Sequence, residues 1–117
     1  MRQYKTTYSL TAYVTMLPSA DGGRKNGVRV GYQPSLSFGN ERHQFSGIVT
    51  SIAQSEPLQP GQTALLQLEM VPAYSIPRSL QVHDTFLLME GLRPVAYGII
   101  TRVTKQEEPA SKAAVEA

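Results

Sequence analysis

The sequence predicts an all-β domain of six antiparallel strands, closed as a barrel or stacked as a sandwich. Three observations predict it. Six runs carry the alternating or short apolar pattern of strands. Turns rich in Gly and Pro separate those runs. No stretch of ten or more residues shows an amphipathic helical period with caps. At 117 residues and 41% apolar content, the chain is one domain with material for a single core.

The first run, Tyr4 to Leu17, sets Tyr8, Leu10, Ala12, Val14 and Met16 on one face. Ser9, Thr11, Tyr13 and Thr15 fall on the other. Period two with Thr, Tyr and Val marks a long strand. Pro18 to Gly23 ends it. The connection Asp21 to Phe38 then holds four of the nine glycines and three of the eleven Lys/Arg residues. Gly22-Gly23 permits a positive φ and a close turn. Arg24, Lys25 and Arg29 place positive charge around backbone N–H groups, an arrangement that can hold a phosphate or a carboxylate. The plain alternative is a solvated connection whose charges only keep it soluble.

The second strand, Pro34 to Phe38, points Leu36 and Phe38 one way and Ser35 and Ser37 the other. Pro34 confines it to an edge or stands at its first position. Gly39 to His43 is a turn. The third strand, Phe45 to Ile52, carries Ile48, Val49 and Ile52. Gln59-Pro60-Gly61-Gln62 has the type II turn pattern, with Pro then Gly at its centre. Thr63 to Val71 alternates Ala64, Leu66, Leu68 and Met70 against Gln67 and Glu69. Pro72 to Asp84 has two prolines and no helical period, so it reads as a long crossover loop. Thr85 to Met89 is short and apolar, a buried strand. Glu90-Gly91-Leu92-Arg93 is a hairpin turn. Val95 to Val103 is the last strand, with Gly98 as a bulge or a close contact. From Gln106 onward no apolar face remains, so residues 1–104 read as the barrel and 105–117 as a flexible tail.

The totals narrow the function. With no cysteine there is no disulfide and no thiolate chemistry, which fits a reducing cytosol. No apolar run approaches the roughly 18 residues of a spanning helix. The N-terminus lacks the apolar stretch of a signal peptide. A cytoplasmic protein without membrane contact is expected. The net charge of +2 is mild. It leans towards an acidic partner without by itself making a nucleic-acid protein.

Catalytic groups do not converge in the sequence. A serine triad would need His43 or His83, and each lies in an expected loop among polar residues. Asp84, beside His83, points to the other side of an extended chain. Two histidines without a short shared spacing do not make a zinc site. Neither Gly-x-x-x-x-Gly-Lys-Ser/Thr nor a Gly-x-Gly-x-x-Gly opening a helix is present. Glu56, Glu69 and Glu90 lie in separate elements that sequence alone does not pair. The reading is a non-enzyme without cofactor or metal.

Four motifs in order then carry a resemblance. They are Asp21-Gly22-Gly23-Arg24-Lys25, Gly31-Tyr32-Gln33-Pro34, Leu58-Gln59-Pro60-Gly61, and Glu90-Gly91-Leu92-Arg93 followed by Val95 to Val103. Together they resemble the third, C-terminal domain of elongation factor Tu over roughly Tyr8 to Thr104. That family has an acidic-Gly-Gly-Arg loop, a Gly-Tyr-Arg-Pro strand entry, a Pro-Gly turn and a Glu-Gly-Gly-Arg hairpin. The resemblance implies an all-β, six-stranded antiparallel closed β-barrel, as a free-standing copy of one non-catalytic domain. GTP hydrolysis is not implied, because no residue here matches the phosphate loop.

In the family this barrel touches the T arm of transfer RNA, packs against the GTPase domain and helps bind the exchange factor Ts. The RNA contacts use the Gly-Gly-Arg loop and the strand after Gly-Tyr-Arg-Pro. Arg24 matches the family arginine. Lys25 stands where the factor has histidine, Ser35 where it has glutamine, Gln33 where it has arginine, and Leu92 where it has glycine. Two of these changes remove a long polar or charged donor, and phosphate affinity scales with the number of such contacts.

Two functions are therefore expected, in this order. The first is a module that binds a protein partner through its loops and one barrel face. Tyr13, Tyr32, Tyr74 and Tyr97 are the exposed-face candidates. The partner would be a translation factor, a GTPase, or a toxin neutralised by mimicry of the factor. The second is an RNA-binding module with Arg24, Lys25 and Arg29 on phosphates and Tyr32 near a sugar or base. Across both readings the binding candidates are Arg24, Lys25, Arg29, Tyr32, Gln33 and Arg93.

Overall fold

The computed structural model describes residues 4–39, 44–71 and 80–109. The strands are β1 (Tyr4–Met16), β2 (Ser35–Ser37), β3 (Phe45–Ile52), β4 (Thr63–Met70), β5 (Thr85–Glu90) and β6 (Arg93–Pro109). One 3-10 turn, Ser19–Asp21, interrupts the first connection. The strands close into a barrel in the order β1-β4-β3-β2-β5-β6, and every ladder is antiparallel. The expected fold class is thus the observed one, and the closed barrel is the form it takes.

The alternation in the sequence explains the core. Tyr8, Leu10, Ala12, Val14 and Met16 of β1 are buried, and so are Ala64, Leu66, Leu68 and Met70 of β4. Their polar neighbours along each strand face out, as period two requires. Removing this apolar area from water is the main force that holds the cylinder together.

Closure needs bends, and three bulges supply them. Thr101 is the extra residue where β6 meets β1, Thr50 where β3 meets β4, and Val95 where β6 meets β5. Each bulge breaks the simple alternation. Val95 and Ala96 are consequently both fully buried. In β3 the buried positions are Gly47 and Val49, while Ile48 and Ile52 are only partly covered. Gly98 is a close contact, not a bulge. A Cβ there would lie 2.5 Å from Cζ of Phe86.

Two expectations are corrected. β5 is buried on one face only, with Leu87 41% exposed between buried Phe86 and Leu88. The last strand also runs past Val103 to Pro109, because its far end pairs with the start of β1, Tyr4 against Pro109. The first residues assigned to the flexible tail are therefore strand, and 110–117 lie outside the described residues.

Antiparallel alternation sorts the connections. The 17–34 loop, the β3–β4 loop and the β5–β6 hairpin all meet at one end, the upper rim. The 17–34 loop joins strands on opposite sides of the cylinder, so it must cross that end. It crosses as a lid. Val28 and Leu58 exchange two backbone hydrogen bonds, of 2.9 and 2.8 Å, and both side chains are buried. The expected type II turn at Gln59–Gln62 closes beside it, with the Gln62 N–H donating to the Gln59 carbonyl at 3.0 Å. The long connection is structural in its middle, which the solvated alternative did not anticipate.

Candidate functional site

The lid positions two of the sequence candidates, Arg24 and Tyr32. Its descent along β3 is fixed by two bonds. The Gly31 N–H donates to the Val49 carbonyl, and the Val49 N–H donates to that of Tyr32, each at 2.8 Å. At its start, the Ser19 hydroxyl donates to the Arg24 carbonyl at 2.6 Å. These anchors bring Arg24 and Tyr32 side by side, with the guanidinium 4.8 Å from the ring centroid, in range of a cation–π contact.

Glu90, at the end of β5, holds the pair. Its Oε2 accepts the Tyr32 hydroxyl at 2.5 Å and forms an ion pair with Nη1 of Arg24. Its Oε1 accepts from Nη2 of Arg93, across the hairpin, at 3.3 Å. Glu90 is therefore the hub of a four-residue cluster on the upper rim. Burial alone would push its carboxyl up. The bonds from Tyr32, Arg24 and Arg93 outweigh burial and hold it below the ordinary glutamate value. For Tyr32, burial and the Glu90 carboxylate both push the hydroxyl well above its usual range, so it stays protonated and donating. Arg24 moves up despite burial, because Glu90 favours its cation.

Of the six binding candidates, the structure brings together Arg24, Tyr32 and Arg93. Lys25, Arg29 and Gln33 are exposed on the same rim and lie outside the cluster. The loop does hold a carboxylate, as its composition allows, but one that another loop of the same chain supplies. Glu56, from the β3–β4 loop, accepts from the Val30 N–H. Arg24 is likewise engaged by Glu90. The chain thus supplies internal anions to two groups that the sequence offers to a phosphate.

A second surface lies on the outer wall. Tyr13 of β1, Tyr97 and Ile99 of β6 and Leu87 of β5 are 52, 51, 39 and 41% exposed. Ladder register makes them neighbours. Tyr13 stands opposite Ile99, and Leu87 opposite Tyr97. They border a groove of about 450 Å³ floored by Phe86 and Gly98. Thr15, Ser37, Gly39 and Thr85 complete the lining among the described residues, and none of these ten is charged.

Sequence reasoning named Tyr13 and Tyr97 but missed Leu87, Ile99 and Glu90. The signal for the first two was their phase, out of step with Phe86, Leu88 and Ile100. For Glu90 it was the hairpin itself, which sets Glu90 and Arg93 at the two corners of one turn. Tyr74 and His43 lie outside the described residues. His83 is exposed in the β4–β5 connection, at the opposite end of the barrel from Glu90. Among the described residues, no helix is long and apolar enough to cross a membrane. No family model matches the chain.

Proposed function

We propose that the protein is a non-catalytic binding module that works by presenting a surface to a protein partner. The observation that carries this reading is the tyrosine and aliphatic patch on β1, β6 and β5, whose described lining residues carry no charge. Tyrosine gives large contact area with a polar tip, and interface centres are depleted in charge. The closed six-stranded antiparallel barrel is compatible with the third domain of elongation factor Tu. On that likeness the partners are a translation factor, a GTPase, or a toxin neutralised by mimicry.

RNA binding is the second reading, and the exposed Lys25 and Arg29 favour it. It is weaker because the Arg24 guanidinium already faces a carboxylate. An incoming phosphate would have to displace Glu90 and leave a carboxylate repelling it.

The test is affinity capture of the tagged protein from its own cells, split into samples with and without RNase. One defined protein, retained at near-stoichiometric amount in both samples, is the expected result. Retention of RNA, with every protein lost on RNase treatment, contradicts the proposal.

A further inference from the structure

We infer that the groove on the β1–β6–β5 wall receives an amphipathic helix of the partner, through an uncharged apolar stripe. The inference rests on the binding-module reading and names what that surface takes. Three features of the wall lead to it.

The first is charge. Among the described residues the groove lining offers no cation or anion to pair with, so a charge entering it would lose its water without compensation from them. Its natural occupant is apolar where it enters. The hydroxyls of Tyr13 and Tyr97 are the polar tips available to backbone or side-chain groups at the occupant's edge.

The second is area. A half-exposed tyrosine offers roughly 100 Å². With Leu87 and Ile99, the four side chains present on the order of 300 Å², within the range of the largest patches found on monomers. A standard interface takes about 800 Å² from each side. The patch is too small to hold two barrels together alone, but large enough for the anchors of one inserted element.

The third is shape. A second copy would bring the same concavity. A two-fold contact centred on it would set groove against groove and leave the void unfilled. A convex ridge fills it. A helix of roughly 10 Å diameter, with anchors at i, i+3 or i+4, and i+7, is such a ridge. The barrel wall is also closed here, with β6 paired on both sides, so a strand cannot add to it.

The experiment places the photocrosslinker p-benzoylphenylalanine at position 97, and separately at position 29, in the full chain in its own cells. The crosslinked segment is mapped by mass spectrometry and then synthesised as a peptide. Position 97 is expected to capture a segment with helical apolar periodicity. The peptide is expected to bind wild type at least tenfold more tightly than Leu87→Glu or Tyr97→Arg. Both residues point outward, and a thermal melt of each variant confirms folding. Ser51→Ala, on the opposite wall, should bind like wild type.

An adduct between two copies of this chain, a captured segment without helical periodicity, or equal affinity for Leu87→Glu and Tyr97→Arg overturns the inference. Protein adducts at position 29 alone overturn it as well, while leaving the binding-module reading in place. Adducts with RNA alone at both positions sink the inference and the reading together.

Discussion

Gly23→Ala is expected to lower the melting midpoint by about 12 °C. A Cβ on Gly23 would lie 2.1 Å from the Leu17 carbonyl oxygen and 2.9 Å from that of Pro18. Both are backbone atoms, so no side chain can swing aside. The turn must open, which breaks the Gly23 N–H bond to the Pro18 carbonyl, now 3.1 Å long. Overpacking of this kind costs about 3 kcal/mol, at the upper end of its usual range. For a domain of this size, that is about 4 °C for each kcal/mol. Gly22→Ala is the control. Its φ is 90° but nothing lies within 4 Å, so only left-handed strain of about 1 kcal/mol applies. Calorimetry of the two variants separates close approach from backbone conformation. Equal shifts would refute the assignment.

Glu90→Ala is expected to cost about 2 kcal/mol, or roughly 8 °C. It removes three interactions at once and leaves Arg24, only 24% exposed, without its anion. The pH dependence follows from the sign of the shift. The folded protein holds the Glu90 carboxyl below its ordinary value near 4.5, so the unfolded chain protonates first on acidification. The stabilisation is full above that value and is lost as pH falls through the lower folded value. The stability gap between wild type and Glu90→Gln should therefore be constant from neutral pH to about 4.5 and close below it. A gap that stays open below that range would show that packing, not charge, holds the cluster.

The barrel wall was legible because alternation is a local signal. Each of β1, β2 and β4 shows its buried face in its own residues. What the sequence withheld is what depends on which strands are neighbours. Arg24 and Glu90 are 66 residues apart and meet only because the lid and the hairpin share one rim. The groove needs residues of four strands at once, β1, β2, β5 and β6, and no single strand shows it. Bulges hide for a related reason. An extra residue such as Val95 reads as noise in a period of two until its partner strand is placed beside it. The end of the last strand is hidden because a polar run, from Thr104 to Glu108, looks like a tail. It is a strand because the start of β1 offers it a partner.

We propose that the arginine of the Gly-Gly-Arg loop serves the fold and that binding belongs to the tyrosine and aliphatic patch of the β1–β6–β5 wall. Titrating labelled transfer RNA with the protein at low salt, then across rising salt, separates the two roles. Among the described residues of the 17–34 loop, Lys25 and Arg29 are the exposed cations, so weak binding is expected, with a slope of log K against log salt of no more than about 2 in size. Arg24→Ala should leave that slope unchanged. Tight binding with a slope beyond about 3, reduced by Arg24→Ala, would contradict the claim and make the loop an RNA site.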